Sequence, residues 1–178
     1  MSFRLDNYME RWACLYKGIR HTKKDPRFFR CSDELNLDEF LQNFQRIADP
    51  VCGIVTNWNG KVDIPKRLDK PVYTCMFLGR ADANDYKRQA DVKAQSKEIA
   101  KKFLIYLDKD RQAAQRTDRT SPLALINLSD ITYNTIGPLT SAWWFGTYFE
   151  INAVEYEKEC FTESDYLPDS EAEWLIEK

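Results

Sequence analysis

From Ala81 to Gln115 apolar residues return every three or four positions, with charged residues between them. Val92, Ile99, Phe103 and Tyr106 form one stripe, and Ala100 and Leu107 lie beside it. That spacing predicts one long amphipathic helix with one face buried. Lys87, Lys93, Lys97, Lys101 and Lys102 fall on its other faces. Asp82 is the expected cap, and Asp85 adds favourable charge to the first turn. Just before this helix, PVYTCMFLGRA is rich in β-branched and aromatic residues and predicts a buried strand with Gly79 at its exit.

The flanking pattern fills in the fold. Leu5, Tyr8, Met9, Trp12, Leu15 and Tyr16 predict an N-terminal helix ended by Gly18. HTKKDPRFFRCSDE reads as a loop whose Phe28 and Phe29 tuck against the core. Leu37, Phe40, Leu41, Phe44 and Ile47 predict a second helix, capped by Ser32 or Asn36 and stopped by Pro50. VCGIVTNW reads as a strand, Asn59-Gly60 as a hairpin turn, and KVDIPKRLDK as a return strand or loop demoted by Pro65. LALINLSDITYNTIG is a strand region broken at Gly137-Pro138. In the last strand region Phe149, Ile151 and Ala153 alternate with Glu150 and Asn152, the period of a half-buried strand. A short terminal helix is expected through Trp174, Leu175 and Ile176.

The expected class is α+β: a mixed or antiparallel sheet, one long helix across it, and extra N-terminal helices. Residues 1–35 form a helix-and-loop extension, 36–161 the core domain and 162–178 an acidic tail. A length of 178 residues suits one domain, and 13% aromatic content suits a core or interface built on large rings. No apolar run approaches the roughly 18 residues of a membrane span. The opening MSFRLDNYMERWACLYKG is too charged for a signal peptide, so the chain is expected to stay where it is made. Cys14, Cys31, Cys52, Cys75 and Cys160 are odd in number and form no CxxC pair. They are expected to be reduced and structural rather than bridged or zinc-bound.

Net charge is −2, unevenly spread: Glu155 to Lys178 holds nine acids and two lysines. Such sorting suits a soluble surface, a nucleic-acid contact or an ionic partner surface. Between Arg80 and Arg119 eleven basic residues are interrupted by seven acidic ones, which favours a solvated face over a nucleic-acid site. The single histidine, His21, reads as a surface loop residue more readily than as a general base. No GxSxG, HExxH, P-loop or GxGxxG pattern occurs. A metal-dependent nuclease would rest on Asp82, Asp85 and Glu98, yet the two aspartates suit a helix start without any ion. No catalytic residue, cofactor or metal is therefore assigned, and enzymatic activity is not expected. Trp143, Trp144 and Phe145 pose a different question. Neighbours on a strand face opposite sides, so the three cannot share one core. Either a bend or a covering layer buries both faces, or part of the cluster anchors a subunit interface.

The order of elements, with PVYTCMFLGRA, KEIAKKFLIYL and ITYNTIGPLTSAWWFGTYFEINAVEYEKECF, resembles the tail-terminator and tail-completion proteins of long-tailed bacteriophages. In that comparison a Gly-containing turn leads into a half-buried strand with a Cys after it, here Gly146 and Cys160. The likeness spans roughly Leu37 to Phe161. It implies a structural virion protein, assembled in the bacterial cytoplasm as a homo-oligomeric ring of six copies, between tail tube and head connector. No cofactor and no membrane are implied. The interface residues expected on this reading are Trp143, Trp144, Phe145, Arg88 and Lys101. The alternative is a nucleic-acid-binding accessory protein using the basic face of the 82–115 helix.

Overall fold

The computed structural model describes residues 3–31, 49–139 and 143–156. The helix expected through Leu37 and Ile47, and the acidic tail with its terminal helix, lie outside these residues. The architecture is α+β, as the hydrophobic pattern predicts. Among the described residues a mixed sheet runs in the order β1-β2-β3-β5-β4. Its strands are β1 (Phe28–Cys31), β2 (Val51–Asp63), β3 (Leu68–Arg80), β4 (Tyr133–Leu139) and β5 (Trp144–Asn152). A two-residue β6 (Glu155–Tyr156) pairs with the start of β3. β1 runs parallel to β2, and every other pairing is antiparallel.

Helix α1 (Leu5–Leu15) and the long α2 (Tyr86–Thr117) bury apolar residues in the cluster on one face of this sheet. α2 buries Val92, Ser96, Ile99, Ala100, Phe103 and Leu107, which recur at helical spacing. Phe103 meets Trp12 edge-on at 5.1 Å, and Phe77 stacks on Phe149 at 5.8 Å between ring centroids. These rings join α1, α2, β3 and β5 in one cluster. Alternation sends the intervening side chains to the other face. Phe29, Val51, Val55, Met76, Leu78 and Trp144 form a second buried cluster there.

Four local expectations change. Phe28 and Phe29 lie in β1, not in a loop. Parallel pairing with β2 sends Phe28 to one cluster and Phe29 to the other, so β1 contributes to the common core. The hairpin turn is not at Asn59-Gly60. β2 continues past it with a bulge between Asn57 and Gly60, and the reversal occurs at a 3₁₀ turn, Ile64–Lys66. Pro65 suits the start of that turn, the Asp63 carboxylate accepts from Lys66 N, and Arg67 takes the left-handed conformation at φ 51°. The long helix starts at Tyr86, with Asp85 as its cap: Asp85 Oδ1 accepts from Arg88 N at 2.9 Å. Lastly, Pro122–Leu125 is a single helical turn, α3, capped by Ser121. The strand begins only at Tyr133 and runs through Gly137-Pro138 with a register shift.

Candidate functional site

The antiparallel register of β3 and β5 places Arg80 opposite Trp144. α2 begins six residues after Arg80, so the exit of β3, the entry to β5 and the helix start share one corner. The β2–β3 register, with Val51 opposite Leu78, brings the residue two before Val51 to the same place. That residue is Asp49. Its Oδ2 accepts from Arg80 N at 3.1 Å and from Arg88 Nη2 at 3.0 Å. One carboxylate thus ties the strand exit to the first turn of the helix. Trp143 closes the other side: its carbonyl accepts from Ala81 N at 3.3 Å.

Trp143 holds φ at 52°, a left-handed conformation that L-residues seldom adopt. The turn leaves its side chain 43% exposed. A depression of about 420 Å³ opens beside it, lined by Asp49, Arg80, Asp82, Asp85, Arg88 and Trp143. Three carboxylates and two guanidinium groups thus rim one exposed indole. Asp82 contributes its carbonyl to the local framework, accepting from Asp85 N and from Gln89 Nε2.

The residues singled out in the sequence separate here. Arg88 and Trp143 meet in this corner, together with Asp82 and Asp85. Trp144 and Phe145 do not belong to a surface: they are 0% and 2% exposed. Trp144 enters the cluster on the far face of the sheet. Phe145 packs with Val92 and Ala81, with the Lys93 ammonium 5.6 Å from its ring centroid. As expected interface anchors they are corrected to core residues, because the strand's alternation sends them to opposite faces, each into a buried cluster. The Arg80 guanidinium lies 5.7 Å from the Trp144 ring centroid and links the corner to that second cluster. Lys101 lies thirteen positions beyond Arg88, about 20 Å along the helix. It bonds Glu98 at 2.9 Å. That bond draws the Glu98 carboxyl below its ordinary pKa range and raises that of Lys101.

The nuclease arrangement does not assemble. Asp85 is committed to its cap, Glu98 sits far down the helix with Lys101, and among the described residues no three His, Cys, Asp or Glu side chains converge to hold an ion. The lysine-bearing face is also engaged locally. Besides Lys93 and Lys101, the Lys97 ammonium lies 4.3 Å from the ring centroid of exposed Tyr133, and this contact lowers the pKa of the Tyr133 hydroxyl. His21 is a half-buried loop residue: its Nδ1 accepts from the backbone N–H groups of Arg27 and Phe28 and shapes the entry to β1. Cys31, Cys52 and Cys75 are free and buried, and burial pushes the Cys52 and Cys75 thiols well up, away from nucleophilic reactivity.

Asp49 escaped the sequence reading. The sequence marks only the neighbouring Pro50, as a helix stop, and no local pattern ties Asp49 to Arg80 or Arg88. No family model matches this chain, and neither a curated protein nor a solved structure matches it.

Proposed function

We propose that the chain is a structural assembly protein whose copies meet through the corner around Trp143 and Arg88. The observation that carries this reading is the exposed indole held in a left-handed turn inside a rim of mixed charge. An aromatic anchor ringed by polar groups is the usual composition of an interface hot spot. Aspartates and arginines within one rim let unlike surfaces of two copies pair, as a closed head-to-tail ring requires. The element order and closing strands, which resemble those of tail-terminator and tail-completion proteins, extend the proposal to a ring, of six copies, on a phage tail tube beneath the head connector. In that setting the protein acts in the virion, without cofactor, and its work is mechanical.

Light scattering of the full chain, alone and mixed with isolated tail tubes, tests this. A mass several times that of one chain, or stoichiometric binding to tube ends, is expected. Trp143→Ala should weaken either contact by about 2 kcal/mol, roughly 30-fold in dissociation constant. A chain that stays monomeric at high concentration and ignores the tubes would defeat the proposal. The nucleic-acid reading uses the lysine face of α2, where Lys93, Lys97 and Lys101 already hold partners within the chain. A mobility shift of duplex DNA at low salt, abolished by Lys97→Glu with Lys101→Glu, would favour it instead.

A further inference from the structure

One imidazole fastens the start of β1 to the end of α1. His21 stands in the loop after α1, with 14% of its side chain exposed. Its backbone N–H donates to the Ala13 carbonyl, in the last turn of α1, at 3.0 Å. Its ring reaches the other way. Nδ1 accepts from Arg27 N at 2.9 Å and from Phe28 N at 3.2 Å. The carbonyl of the same Arg27 accepts from Cys52 N of β2 at 2.9 Å. The ring therefore braces the point where β1 joins β2, and β1 is only four residues long.

This bonding fixes the protonation state. A ring nitrogen that accepts carries no proton, so the imidazole is neutral and holds its proton on Nε2. Nε2 lies 3.9 Å from the Glu10 carboxylate of α1. Arg30 of β1 bonds Glu10 and also donates to Asp6 at 2.9 Å. On the loop side the Arg27 guanidinium turns to Asp25 at 2.8 Å. The Phe28 ring meets the imidazole edge-on at 5.9 Å between centroids.

A second proton must land on Nδ1. The imidazolium has an N–H at both nitrogens and no free lone pair. Two amide donors would then confront a third donor. Glu10 opposes this effect, because it attracts the imidazolium. That carboxylate is 43% exposed and already holds Arg30, however, and exposed ion pairs are weak. Two amides at a buried strand entry that lose their acceptor weigh more. We infer that His21 is an acid-sensitive latch: a second proton on its ring releases the entry of β1. The latch is closed while the imidazole is neutral and opens as pH falls. It is independent of how copies of the chain meet.

Nuclear magnetic resonance of the ¹⁵N-labelled full chain between pH 7 and pH 5 tests it. Free carboxylic side chains titrate near about pH 4, and His21 is the single histidine, so the imidazole is the group that changes in this window. At pH 7 its nitrogens should report the Nε2–H tautomer. At pH 5 the Arg27 and Phe28 amides should lose roughly tenfold in protection from exchange, corrected for the intrinsic effect of pH. The Ala100 and Phe103 amides of α2 should hold theirs. His21→Asn supplies the control, because its Oδ1 can accept from the same amides and does not titrate. Protection in that variant should be the same at both pH values. An Nδ1–H tautomer at pH 7 overturns the inference, as does protection that persists to pH 5. A loss shared with α2 also overturns it, since that is general unfolding. So does an equal loss in His21→Asn, because another group then carries the response. Should that variant fold poorly, the tautomer and the exchange of the unaltered chain decide the matter.

Discussion

Trp143 and Trp144 are consecutive in the chain and opposite in circumstance. The first sits in a left-handed turn with nearly half its surface in solvent; the second begins β5 and is sealed in the cluster on the far face of the sheet. The difference arises at the strand boundary. Once β5 pairs with β3, each side chain is directed alternately to one face or the other, and both faces are packed. One residue earlier there is no ladder to obey, and the chain can present an indole outward. A run of identical residues therefore divides into core and surface at a single peptide bond.

The comparison breaks most sharply through Trp144. Trp144→Ala should cost about 3–5 kcal/mol, read as a lower midpoint in chemical denaturation. Gly146→Ala follows. A β-carbon there would collide with the Phe77 carbonyl across the β3–β5 pairing, and a loss of about 1–3 kcal/mol is expected from the forced shift. A tolerated alanine would mean that the two strands are not held in this register. Asp49→Ala removes two charge-assisted hydrogen bonds from a partly exposed carboxylate, so about 1 kcal/mol is expected after allowing for solvent. The same variant should free Arg88 and weaken self-association, which separates the corner's structural role from its proposed contact. Trp143→Gly should have the smallest effect on the isolated chain. Glycine accepts φ near 52° without penalty, which offsets the lost packing to within about 1 kcal/mol. Its signature is an unmoved denaturation midpoint together with lost assembly. A large stability loss would place Trp143 with its neighbour in the core.

Much of this layout was legible beforehand. The stripe from Val92 to Leu107 and the alternation of Phe149, Ile151 and Ala153 report burial directly, because each period belongs to a single element. The failures occur where two parts of the chain decide together. Asn59-Gly60 is a strong local turn signal, but β2 extends past it to Asp63, and the turn forms where Pro65 and Arg67 can be accommodated. Phe28 and Phe29 lack a long strand-like run, and pairing with β2 supplies the order that propensity does not. The corner was half visible. Arg88 and Trp143 stood out as residue types, whereas Asp49 is identified only by the register that carries it to Arg80 and Arg88. Trp143, Trp144 and Phe145 stand out together in the sequence, but the burial of the last two depends on residues that distant strands and α2 bring to the two faces of the sheet, which a local window cannot contain.

The Trp144 indole N–H makes no hydrogen bond among the described residues although it is fully enclosed. An enclosed donor of this kind surrenders its proton to solvent only when the surrounding layers part. Its deuterium uptake is therefore a clock for the opening of the cluster on the far face of the sheet, legible at a single downfield resonance. Slowing of that clock when copies associate would reveal how far assembly tightens the interior one residue away from the contact.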